Sequence, residues 1–173
     1  MKRLLMLVAV FAFSALPLFS QSSGVGLSLG AGTRVDGDFD FDLGDQVFEI
    51  FYVTDLEPGT GFKLKLGRIE NEDGSQVGAP GLSRDGSVEY AQALIEYRFY
   101  EVFGSTSLFA GPGAYRSSYG SQSETDFGLA AGVNGIFPVT RRFAFTAELA
   151  YHWVNFEEDY RFVTATGGVK FAF

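Results

Sequence analysis

The stretch "FAFTAELAYHW", residues 143–153, decides the fold, because its side chains sort into two sets by strict alternation. Phe143, Phe145, Ala147, Leu149, Tyr151 and Trp153 fall on one face, and Glu148 and His152 fall on the other. A period of two is the signature of a β-strand with chemically different sides. Sequence parity alone does not say which side is inside.

The same alternation recurs along the chain. In "GVGLSLGAGTRV", Val25, Leu27, Leu29 and Ala31 oppose Gly24, Gly26, Ser28, Gly30, Gly32 and Arg34. In "FKLKLGR", Phe62, Leu64 and Leu66 oppose Lys63, Lys65 and Gly67, and in "YAQALIEYRFY" Ala91, Ala93, Ile95, Tyr97 and Phe99 oppose Tyr90, Gln92, Glu96 and Arg98. A soluble sandwich or a lipocalin-type barrel also alternates, but with its apolar face turned inward. Two features favour a membrane barrel. The polar face is rich in Gly, Ala, Ser and Thr, which suits the cramped interior of a small barrel. The apolar face ends in aromatics, such as Tyr151 and Trp153 or Phe171 and Phe173, where a lipid-facing strand meets a membrane interface.

Turn signals divide the chain into eight strands, at about 24–36, 45–55, 60–70, 87–99, 105–116, 124–138, 142–155 and 159–173. Short connections near 56–59, 100–104 and 138–141 alternate with longer polar ones at 37–44 and 71–86. With the N-terminus in the periplasm, the short turns are periplasmic and the long loops external. The fold class is therefore all-β, an eight-stranded antiparallel up-and-down transmembrane barrel. Pro112 in "AGPGAY" removes a ladder donor inside a strand and predicts a bulge between Gly111 and Gly113.

Residues 1–22 read as a secretory signal peptide: Lys2 and Arg3 precede an apolar run from Leu4 to Ala15, and small residues follow near Ser20 and Ser22. Residues 23–173 form the barrel domain, in which no further apolar run is long enough for a spanning helix. The chain has no Cys, so neither a disulfide nor a thioether lipid anchor is available. Its formal charge of −8 becomes −10 when the two basic leader residues depart, a balance that repels nucleic acid.

The final stretch "TGGVKFAF" places Thr166, Gly168, Phe171 and Phe173 in the order polar, glycine, apolar, apolar, and ends on Phe. It resembles the C-terminal assembly signal of bacterial outer-membrane barrels, and the resemblance implies recognition by the barrel-assembly machinery. The physical part is independent of family, since the last strand must find the first to close the barrel and remove an open edge. Together with "SLFAGPGAYR" and "ETDFGLAAGVNGIFPVTRRFAFTAELAY", the chain resembles the small eight-stranded outer-membrane barrel domains of the OmpA-like or OmpX-like kind. That resemblance implies residence in the bacterial outer membrane among its lipids. It leaves activity open, because such barrels host structural, adhesive, porin-like and enzymatic members.

Inner parity gathers Glu49, Lys63, Lys65, Glu96, Arg98, Glu148 and Lys170 in one lumen, where charges persist only when paired. Glu96, Arg98, Glu148 and Lys170 are expected to form such a network. His152, the lone His, has Ala150 and Val154 at two residues' distance, so a catalytic role needs a cross-strand Ser. No phosphate-binding or metalloprotease motif appears, no cofactor is implied, and the chain is read as non-enzymatic. Asp36, Asp38, Asp40 and Asp42 in "DGDFDFDLGD" form an acidic ladder at the outer mouth. It is either solvated loop charge or a weak calcium or magnesium site. Two functions stay open at this level. One is a structural or surface-interaction barrel whose outer loops contact ligands; the other is a narrow channel for small solutes.

Overall fold

The computed structural model describes residues 23–35, 45–70, 86–101, 104–119, 122–156 and 159–173. The signal segment 1–22 and the acidic ladder at Asp36, Asp38, Asp40 and Asp42 lie outside the described residues. Eight strands follow in order: β1 (Gly24–Arg34), β2 (Asp45–Glu57), β3 (Thr60–Glu70), β4 (Gly86–Glu101), β5 (Gly104–Tyr119), β6 (Gln122–Pro138), β7 (Phe143–Asn155) and β8 (Asp159–Ala172). Each pairs antiparallel with its sequence neighbours, and β1 pairs with β8 from Gly24↔Ala172 to Arg34↔Phe162 to close the barrel. Closure leaves no open edge around the ring, so the backbone groups at membrane depth pair between strands, with one interruption between β4 and β5 beside Pro112. Among the described residues no helix is long and apolar enough to cross a membrane; the crossing elements are strands.

The alternation resolves with the apolar side outward. Leu29, Leu66, Ile95, Leu108, Phe145 and Leu149 are exposed on the wall, while Glu49, Lys65, Glu96 and His152 are buried inside. Leu29 is 65 % exposed and Glu96 0 %, an inversion of the soluble pattern that only a hydrocarbon solvent tolerates on this scale. Aromatics gather on the wall near the short turns, where Tyr97 packs edge-on against Phe99 at 5.0 Å and Phe143 against Phe145 at 6.0 Å.

The turns have local causes. Pro58 and Gly59 form the β2–β3 turn, and Gly59 adopts a φ of 85°, a left-handed conformation open to glycine at little cost. In the β6–β7 turn the Thr140 hydroxyl accepts from the backbone N–H groups of Arg142 (3.2 Å) and Phe143 (3.0 Å).

One expectation fails. The β4–β5 register is identical at Gln92↔Gly113 and Ile95↔Ala110, so no residue bulges around Pro112. The ladder is interrupted there instead, while β5–β6 pairing runs through Pro112↔Leu129. The barrel absorbs the missing donor as an unpaired step, because Gly111 permits a close approach: a Cβ on it would lie 2.0 Å from the Ala93 carbonyl oxygen. The register shift occurs at the end of β2, between Asp55 and Glu57, next to the tight turn.

Candidate functional site: the filled lumen

Lys63 and Lys65 are two residues apart on β3 and both point inward. β7 lies four strands away in a ring of eight, on the opposite wall, and Glu148 projects from it. Its carboxylate receives Lys63 Nζ on Oε2 and Lys65 Nζ on Oε1. The pair therefore braces the barrel across its diameter. Lys65 also reaches Glu49 at 3.2 Å, and Lys63 reaches Glu96 at 3.6 Å. Phe51 and Phe109 present ring faces to the ammonium groups, with Lys63 Nζ 4.8 Å from the Phe51 centroid and Lys65 Nζ 5.3 Å from that of Phe109.

Glu49 is held from three sides. Besides Lys65, the Tyr90 hydroxyl donates to its Oε1 at 2.6 Å and the Thr166 hydroxyl to its Oε2 at 3.1 Å. Tyr90 fits because β3 carries Gly67 beneath its ring, where a Cβ would sit 2.2 Å from the Tyr90 Cζ. Nearer the short turns, Arg98 donates from Nη2 to Glu96 at 3.0 Å and from Nη1 to Asp55. It crosses β3 over Gly61, where a Cβ would come 2.5 Å from Nη2. Small residues on the inner face thus make the room that the long polar side chains fill.

Toward the long loops the chemistry changes. His152 Nδ1 lies 2.9 Å from the Gln92 amide nitrogen, and Nε2 lies 3.1 Å from the Thr164 hydroxyl. The imidazole stacks on Phe162 at 4.2 Å with the planes 6° apart. Above it Tyr90, Tyr115, Phe156, Tyr160 and Phe162 form one buried cluster with Val47, Ile69, Val88 and Val154. Tyr115 and Phe162 are fully buried, so rings occupy the centre of the lumen at this height.

The sequence-predicted lumen residues are brought together with one adjustment. Glu49, Lys63, Lys65, Glu96, Arg98 and Glu148 share a connected set of ion pairs. Lys170 lies on the same face and passes over Gly24, with a Cβ there 2.6 Å from its Cε, but makes no ion pair among the described residues. Glu148 takes its partners from β3 rather than from Lys170. Sequence reasoning misses Asp55, because it reaches Arg98 over the glycine of an intervening strand. It misses Tyr115, Phe109 and Phe162 as well, although inner parity is the available signal.

No serine stands directly across the strands from His152. Its direct cross-strand neighbours are Ala130 and Phe162, and its ring nitrogens bond Gln92, Tyr115 and Thr164. The C-terminal motif divides between the two faces. Phe171 and Phe173 are exposed on the wall, Thr166 binds Glu49, and Gly168 lies so close to β1 that a Cβ would be 2.2 Å from the Leu27 carbonyl oxygen. The Phe173 N–H donates to the Ser23 carbonyl at 3.0 Å, which extends the closing seam to its short-turn end.

Among solved structures, Neisserial surface protein A superposes with a TM-score of 0.71 at 18 % identity, covering 89 % of this chain and 100 % of that one. The attachment invasion locus protein Ail of Yersinia pestis gives 0.57 at 17 % identity, covering 90 % and 100 %. A major outer membrane protein from Thermus thermophilus gives 0.61 at 13 % identity, covering 87 % and 99 %. At these identities the likeness is one of fold. No curated protein sequence matches the chain. The family model described as the outer membrane protein beta-barrel domain matches residues 5–173. With its lipid-facing wall and closed eight-stranded ring, the chain belongs to that family and resides in the bacterial outer membrane.

Proposed function

We propose that this protein is a non-enzymatic barrel with a plugged lumen, which acts through the surfaces it presents to the membrane and the cell exterior rather than by passing solute. The observation that carries this reading is the ring cluster around Tyr115 and Phe162, buried at the centre of the lumen directly above the Lys–Glu braces. A solute would have to displace packed aromatics and then separate buried ion pairs, each a costly step. The names of two proteins of the same fold, a surface protein and an attachment invasion locus protein, agree with a role at the cell surface. The C-terminal strand is read as the segment that the barrel-assembly machinery engages, since Phe171 and Phe173 remain exposed on the wall at the closing seam.

Planar-bilayer recording of the purified, folded protein tests the reading. A silent bilayer is expected. Steady currents that fall with solute size would instead establish the narrow-channel alternative.

A further inference from the structure

The strands do not all end at the same height. Toward the long loops β6 pairs with β5 as far as Tyr119↔Gln122, but its pairing with β7 stops at Gly128↔Val154. β7 ends at Asn155, which pairs with Asp159 where the chain returns as β8. Residues 123–127 therefore have β5 on one side and, among the described residues, no strand on the other. At about 3.4 Å per residue this is roughly 17 Å of open edge. It stands beyond the closed ring, at the end that faces the cell exterior.

The Phe127 N–H turns away from β5 and donates to the Asp126 carboxylate at 2.7 Å, which caps the inner end of the edge. By the two-residue period the backbone groups of Ser123 and Thr125 turn the same way. Each presents one donor and one acceptor along the edge, the template that an added strand reads. Side chains alternate across this template. Ser123, Thr125 and Phe127 are exposed on the outer face, Phe127 to 76 %, and Glu124 and Asp126 are half-buried on the other. Glu124 already has an interaction of its own, so Asp126 is the charge that discriminates between incoming strands.

We propose that the β6 edge at residues 123–127 is a strand-addition site for an extended segment of an exterior protein in which basic and apolar residues alternate. The apolar side chains pack beside Phe127, and the basic ones face Asp126, since opposite charges across a ladder stabilise it. A second copy of the same edge is the poorer occupant. It would set the face with Glu124 and Asp126 against its own counterpart, and like charges opposite one another destabilise a ladder. The site belongs to the exterior surface through which the protein is read to act. Bilayer currents would overturn that reading and leave the edge intact, whereas absent strand addition overturns the edge alone.

The folded protein in zwitterionic detergent micelles is titrated with a capped hexapeptide of alternating Lys and Val, with its Glu-for-Lys counterpart, and with a Lys–Val peptide N-methylated at each Val. Amide exchange by NMR reads the Ser123 and Thr125 N–H groups. The Lys–Val peptide is expected to slow both, and the N-methylated one, which lacks the pairing donors, neither. Thr125→Pro removes an outward donor without touching the β5 ladder, and is expected to weaken binding about tenfold while heat-modifiable gel mobility reports an intact barrel. Asp126→Asn keeps the cap on Phe127 but is expected to cut the preference for Lys over Glu about threefold. No protection by the Lys–Val peptide overturns the proposal, as does equal protection by the N-methylated peptide or binding unchanged in Thr125→Pro. A preference unchanged in Asp126→Asn overturns the basic partner. Dimerisation of the peptide-free protein that disappears in Thr125→Pro, read by analytical ultracentrifugation, would hand the edge to a second copy instead. If Thr125→Pro fails to fold, the N-methylated peptide decides alone.

Discussion

At mid-height the lumen is filled by Lys63, Lys65, Glu49, Glu96 and Glu148, while toward the long loops it is filled by Tyr90, Tyr115, Tyr160 and Phe162. Both halves occupy the same narrow cylinder, but they fail differently when disturbed. The aromatic half is held by area and shape, so truncation leaves a void whose cost depends on how far the neighbours relax. The charged half is directional, and removing one partner leaves another buried charge without its counter-ion. The charged half also ties β3 to β7 across the barrel, which neighbour-to-neighbour strand pairing cannot do. Stiffness across the ring therefore comes from the ions, and the rings pack the lumen toward the long loops.

Glu148→Ala sharpens this contrast most, since it strips both lysines of their shared carboxylate. A loss on the order of 3–5 kcal/mol is expected in urea unfolding of the folded barrel in lipid vesicles. Adding Lys65→Met should recover part of that loss, and strictly additive effects would show that the brace is not a coupled unit. Phe162→Ala is expected to cost about 3 kcal/mol by the same measurement, with no comparable rescue from any single neutralised charge. Its bilayer recording also probes the plug, where brief openings absent from the wild type are the expected sign.

Gly67→Val tests the seam between the halves, because Tyr90 both joins the ring cluster and donates to Glu49. Overpacking of about 1–3 kcal/mol is expected, and Tyr90→Ala in the same chain should relieve the crowding; no relief would place the strain elsewhere. Removal of Phe173 comes last in stability, at about 1 kcal/mol for one backbone hydrogen bond to Ser23. Its larger consequence is expected in cells, as slower barrel assembly with export intact. Wild-type assembly yield and rate in pulse-chase would remove the assembly role of this residue.

Strand periodicity carries most of the fold. Alternation places all eight strands, and inner parity puts Glu49, Lys63, Lys65, Glu96, Arg98 and Glu148 on one surface, because a two-residue period is a local property of the backbone. Inverted patterning and the terminal aromatics then favour lipid outside. Partner choice lies beyond that logic. Whether Glu148 meets Lys65 or Lys170 depends on which strands stand opposite in the closed ring and how far each side chain rises along the axis. Arg98 reaches Asp55 only because Gly61 leaves β3 open beneath it. The expected bulge at Pro112 fails for the same reason, since a missing donor can be relieved by a bulge or by an unpaired step, and the close approach of β4 to Gly111 selects the second. The amino-acid sequence by itself determined which residues face inward and which face lipid; only the closed barrel decided which inward residues meet, because contact across a lumen depends on shear, stagger and the space that facing glycines leave.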